Sequence, residues 1–91
     1  MPNLDDQQIE SLAEECEDEI TRFVLSKIPK KSVAELSVSC ILEFDEELDV
    51  DIQIDLEQSY DTGDNLDEIL DGASRYGTEW LERRLKELKQ N

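Results

Sequence analysis

Nearly all the residues able to do chemistry in this chain are carboxylates. Asp and Glu number 25 against 9 Lys and Arg, and there is no His. A nucleophile needs an activating base and an orienting partner, and without an imidazole the usual proton shuttle is missing. The carboxylates fall in rows between apolar positions, which is the pattern of solvent-facing surface and not of a cleft. They predict a protein that is not an enzyme and has no catalytic residue. The segment Asp61-Thr62-Gly63-Asp64-Asn65, with Asp67, offers oxygen ligands for calcium or magnesium. It lacks the Asp-x-Asp-x-Asp-Gly order and the distal Glu of an EF-hand, so it reads as a turn followed by a helix cap. No metal or cofactor is expected. Cys16 and Cys40 both fall within apolar patterns. Two cysteines at unrelated spacing make neither a disulfide framework nor, without further ligands, a zinc site, and they read as buried thiols acting as small hydrophobes.

The whole-chain charge narrows the partners. A net charge of −16 on 91 residues sets a repulsive field against phosphates, so direct nucleic-acid binding is not expected. No run approaches the roughly 18 to 20 apolar residues needed to span a bilayer, and the start Met-Pro-Asn-Leu-Asp-Asp lacks the character of a signal peptide. A cytoplasmic protein without membrane contact is therefore expected. The length suits one small domain over residues 1–91, and the hydrophobic 37% is concentrated in periodic stretches that can build a thin core.

Those stretches define the elements that must position any site. Ile9, Leu12, Ala13, Cys16, Ile20, Phe23 and Val24 recur at helical spacing, with carboxylates filling the other positions. Asp5 and Gln8 can form a capping box, and Pro29 disfavours helical geometry at Ile28, so a helix is expected from about Asp6 to about Lys27. From Val33 onward the period changes to two. Leu36, Val38, Cys40, Leu42 and Phe44 form one inward row, and Leu48, Val50, Ile52, Ile54 and Leu56 form another. If Phe44 faces Leu48 across a tight connection, Cys40 faces Ile52 and Leu36 faces Leu56, which brings every apolar residue to one face. Gln58 to Asp64 reads as a loop. Asn65 then caps a second helix whose apolar positions are Leu66, Ile69, Leu70, Ala73, Gly77, Trp80, Leu81, Leu85 and Leu88. Gly72 and Gly77 inside it suggest close packing or a kink.

The expected fold is α+β: an antiparallel β-hairpin covered on one face by two antiparallel helices. That arrangement would bring Lys27, Lys30 and Lys31 near Asp64, Asp67 and Glu68, and Arg83, Arg84, Lys86 and Lys89 near Asp5, Asp6 and Glu10. Internal charge complementarity then accounts for the basic residues. The inferred register also sets like charges across the outer face of the hairpin, Glu43 opposite Asp49 and Glu35 opposite Glu57, which destabilises a ladder. A solvated, aggregation-resistant face explains this row, and a basic partner or adaptation to a salty cytoplasm would explain it functionally.

Two strands leave both sheet edges unpaired, so pairing with another chain, as a homodimer or heterodimer, follows from the architecture. The candidate partner interface is the strand edge from Val33 to Phe44, with Val33, Glu35, Ser37, Ser39 and Ile41; the second strand offers an equivalent edge. Tyr76 and Trp80 on the second helix are candidate interface anchors, with packing at the core boundary as the alternative for Trp80.

The helix ending at Pro29-Lys30-Lys31-Ser32, the strand Val33-Ala34-Glu35-Leu36-Ser37-Val38, the alternating Leu48 to Leu56 strand and the closing helix through Leu66, Ile69, Leu70 and Ala73 resemble an archaeal family known only as a domain of unknown function. Its genes often lie near those for the prefoldin beta subunit and a small subunit of KEOPS, the complex that makes threonylcarbamoyladenosine in transfer RNA. The helix, hairpin, helix layout is also similar to that small subunit and its archaeal paralogue, which pair and dock through their helices. The small subunit begins with an extra strand, where this chain offers only Met1 to Leu4. The resemblance implies a non-catalytic adapter or accessory subunit of a KEOPS-type complex. The alternative is an acidic partner of prefoldin or the translation machinery, and a nucleic-acid mimic would also fit the charge.

Overall fold

The computed structural model describes residues 5–44 and 48–89, and the side chains of Phe44, Leu48, Leu88 and Lys89 lie outside that description. The expected hairpin connection Asp45 to Glu47, the segment Met1 to Leu4 and the expected core position of Leu88 therefore fall outside the described residues. The first helix, α1, spans Asp6–Lys27. Its capping box is complete: Asp5 accepts the Gln8 N–H at 2.8 Å, and the Asp5 N–H donates to the Gln8 side chain at 3.1 Å. It ends where Ile28 turns extended ahead of Pro29, at φ −131° and ψ 152°, the geometry that a following proline imposes. A 3-10 turn over Lys30–Ser32 leads into β1.

Strand β1 (Val33–Phe44) pairs antiparallel with β2 (Leu48–Gln58) in the register read from the alternation, Leu36 facing Leu56, Cys40 facing Ile52 and Phe44 facing Leu48. A one-residue slip would have turned one apolar row to solvent, which is why the pattern alone suffices to choose it. The register shifts once, between Val33 and Glu35. That bulge reverses the facing of Val33, which packs against the core instead of joining the outer row. The second helix, α2, spans Leu66–Lys89, and the Asn65 side chain accepts the Glu68 N–H at 3.2 Å at its start.

Both helices lie on the apolar face of the hairpin, and the buried cluster joins all the layers: Leu12, Cys16, Ile20, Val24, Ile28, Cys40, Ala73 and Leu81. The α1 members recur every fourth residue and meet Ala73, Gly77 and Leu81, spaced identically along α2. The helices run antiparallel. Glu15 meets Arg84 at 3.7 Å, the Cys16 thiol meets the Gly77 carbonyl at 3.7 Å, and Phe23 stacks on Tyr76 with centroids 5.2 Å apart.

The Glu15 to Arg84 contact is the ion pair that crosses between the helices among the described residues, while Lys27 shares a groove with Asp64 and Glu68 and lies over the Phe23 ring at 5.3 Å. These exposed contacts contribute at most about 1 kcal/mol each. The described molecule is elongated, 49 × 18 × 18 Å, which makes its sheet edges long relative to its core.

Candidate partner interface

The far end of the hairpin is tied down by a residue with no periodic signal. Ser32 is fully buried; its hydroxyl donates to the Pro29 carbonyl at 2.7 Å and accepts from the Gln58 side chain at 3.2 Å. Its carbonyl accepts the Ser59 N–H at 2.7 Å. The loop beyond is built by its own side chains. Asp61 accepts the Gly63 N–H at 2.8 Å, Thr62 donates to Asp64 at 2.6 Å, and Gly63 takes the positive φ of 80° that the turn needs. Of the oxygen atoms weighed as cation ligands, those of Asp61, Asp64 and Asn65 are thus acceptors within the turn and the helix cap.

The candidate interface residues separate into two groups on different layers. Glu35, Ser37 and Ile41 are exposed on the outer face of β1, with Ser39 half-buried among them. Ile41, 49% exposed, is a single large aliphatic side chain on this face and not part of a contiguous apolar patch. Its cross-strand neighbour is Asp51. Val33 is half-buried and packs against the core, turned there by the bulge. Tyr76 and Trp80 sit instead between the helices. The Tyr76 hydroxyl donates to Glu19 at 3.3 Å, and the half-buried Trp80 packs against the core with the Arg84 guanidinium 5.9 Å above its ring. Trp80 also borders a groove with Glu15, Asp18, Glu19 and Arg22.

One contact at the sheet edge was not legible in the pattern. The half-buried Glu17 carboxylate reaches from α1 and accepts the main-chain N–H of Cys40 at 2.9 Å. A strand N–H that donates outside its ladder belongs to a non-hydrogen-bonded pair, so the polar backbone of Cys40 and of Ile52 points away from the partner strand. By alternation the N–H groups of Leu36, Val38 and Leu42 face the outer edge of β1, and those of Val50, Ile52, Ile54 and Leu56 face the outer edge of β2. Glu17 therefore occupies the middle of one edge. In the sequence it is one carboxylate among several on α1, and nothing in its spacing separates it from Glu14 or Asp18.

Within α1, Cys16 is packed so that its thiol stays protonated: the hydrogen-bonding contact with Cys40, then burial, then nearby charge including the Glu17 and Glu19 carboxylates push its pKa up, while the same contact lowers that of Cys40 against the effect of its burial. Both thiols are free and buried.

Fold and surface together define a small two-layer α+β protein whose exposed features are strand edges, an acidic sheet face and a groove between helices. The chain belongs to the family described as protein of unknown function (DUF3194), whose profile matches residues 1–75. Two solved structures from archaea share the fold. A crystal structure from Thermococcus onnurineus NA1 is 24% identical with a TM-score of 0.79, over 99% of this chain and 87% of that one. The solution structure of the hypothetical protein mth677 from Methanothermobacter thermautotrophicus is 21% identical with a TM-score of 0.70, over 90% of this chain and 93% of that one. No curated protein matches the chain. No helix among the described residues is long and apolar enough to cross a membrane.

Proposed function

We propose that this protein is a non-catalytic cytoplasmic adapter, an accessory or dimerisation-controlling subunit of a KEOPS-type assembly for threonylcarbamoyladenosine modification of transfer RNA, and that it joins its partner by strand pairing. The observation that carries the adapter reading is the two-stranded sheet: no described element pairs with the outer edge of either strand. A sheet of two strands is marginal even with helices on one face, and a third strand from another chain would extend it. The KEOPS assignment rests on the likeness of layout to its small subunit. Affinity purification of the tagged full chain from an archaeal lysate, read by mass spectrometry, tests it. Recovery of KEOPS components is expected, and recovery of prefoldin or ribosomal subunits without them overturns it.

A second reading, an acidic partner of prefoldin or the translation machinery, is favoured by the outer sheet face. Glu35, Glu43, Asp49, Asp51, Asp55 and Glu57 are all exposed, whereas the 9 Lys and Arg residues lie in the helices or the turn after α1. A complex led by carboxylates dissociates between about 0.1 and 1 M salt, and one led by apolar strand pairing persists.

A further inference from the structure

We infer that the free edge of β2, and not that of β1, receives a strand from a different chain in which Lys or Arg alternates with apolar residues. This deepens the strand-pairing reading above by naming the edge and the chemistry of its occupant. Three observations carry it.

The first concerns backbone access. An incoming strand on β1 has to displace the Glu17 carboxylate from the Cys40 N–H, a charge-assisted bond of 2.9 Å at the middle of that edge. Among the described residues no side chain bonds the main chain of 49–57 outside the ladder, so the N–H and C=O groups of Val50, Ile52, Ile54 and Leu56 stand open in a row. An edge covered by a neighbouring element is protected from pairing, and an uncovered one is a template for it.

The second concerns the face beneath the helices. Val50, Ile52, Ile54 and Leu56 all point inward yet stay half-buried, as Leu36, Val38 and Leu42 do on β1, so apolar surface remains at both margins and sets the side-chain pattern of the added strand while Glu17 sets the edge. Alternate side chains of an added strand would project to that same face and cover it.

The third selects the occupant. The other alternate residues of that strand would lie beside Asp49, Asp51, Asp55 and Glu57, a row with no Lys or Arg on either strand to balance it. Cross-strand neighbours of opposite charge stabilise a sheet and like charges destabilise it, so the row fits Lys or Arg and opposes a second copy of this chain pairing β2 against β2. The occupant is thus a basic, amphipathic strand of another protein.

The probe is a strand-length peptide alternating Lys with Val, added to the isotopically labelled full chain and read by amide hydrogen exchange and chemical shift. Slowed exchange at Val50, Ile52, Ile54 and Leu56 is expected. The double variant Asp51→Lys/Asp55→Lys should weaken binding on the order of tenfold. Glu79→Lys/Glu82→Lys, an equal change of charge at exposed positions on α2, should leave it within about twofold. Each of the following overturns the inference: protection mapping to β1 or the helices, no protection at any soluble peptide concentration, equal weakening by both double variants, or undiminished binding of a peptide N-methylated at its ladder amides. Self-association through β2 also overturns it.

The two proposals fail separately. If Asp51→Lys/Asp55→Lys still recovers KEOPS components as the parent does, the β2 assignment is wrong and the adapter stands; if β2 protection by the peptide holds while purification yields no KEOPS component, the assembly is wrong and the edge stands.

Discussion

The Cys16 side chain is fully buried, donates to the Gly77 carbonyl at 3.7 Å, and is kept protonated by its contact with Cys40, by burial and by nearby carboxylates. Its folded-state pKa lies above the unfolded value of about 8.5, so the contribution to stability is complete below that pH and is lost as pH rises beyond it. Above it the unfolded chain binds fewer protons than the folded one, and stability falls by up to about 1.4 kcal/mol per pH unit for this single group. Thermal melts under reducing conditions should show Cys40→Ala, in which burial and the Glu17 and Glu19 carboxylates still raise the Cys16 thiol, losing stability between about pH 8.5 and 10 more steeply than Cys16→Ala/Cys40→Ala, which has no thiol to titrate. Parallel slopes for the two proteins would show that the thiol ionises as freely folded as unfolded. The apolar spacing identified Cys16 as buried, but its contact with Cys40 comes from α1 lying across β1, which spacing does not encode.

At the scale of the elements, the two interior glycines of α2 make opposite predictions. A Cβ on Gly77 would stand 2.6 Å from Cδ1 and 2.8 Å from Cγ1 of Ile20, itself fully buried, and 3.2 Å from Ile52 Cδ1. Helix propensity favours Ala over Gly by about 1 kcal/mol, whereas forcing a methyl group into a filled core costs typically 1–3 kcal/mol, so Gly77→Ala should be destabilising on balance. At Gly72 the nearest atom is Phe23 Cζ at 3.5 Å, an ordinary contact, and Gly72→Ala should raise stability by up to about 1 kcal/mol. Urea titrations of both variants check the pair, and a stabilised Gly77→Ala would mean the helices are not held that closely. The choice between close packing and a kink was open from the sequence because glycine serves both. The approach of Ile20 decides it at Gly77.

The whole molecule is long and thin, and its stability depends on one small cluster under the helices. Ile52 is the central inward residue of β2, paired with Cys40 and packed against that cluster. Ile52→Asp puts a charge there at a cost of several kcal/mol, comparable to the total stability of a small domain, whereas the exposed Gln53→Asp should cost at most about 1 kcal/mol. Cooperative thermal unfolding should disappear in the first variant and persist in the second. If both melted like the parent, β2 would not be half-buried.

Periodicity determined α1, the hairpin register and α2, because a change of period from 3.6 to 2 leaves each chain segment one way to bury its apolar residues. The capping pairs Asp5 with Gln8 and Asn65 with Glu68 were legible for the same local reason, since a cap and its target lie within one turn. What tertiary structure alone decided involves residues distant in sequence or a break in the count. The bulge at Ala34 turns Val33 inward, Ser32 holds the Gln58 end of the sheet, and the Glu17 carboxylate covers one strand edge and leaves the other open. No periodic rule marks such residues, because their partners are brought to them only when the layers close.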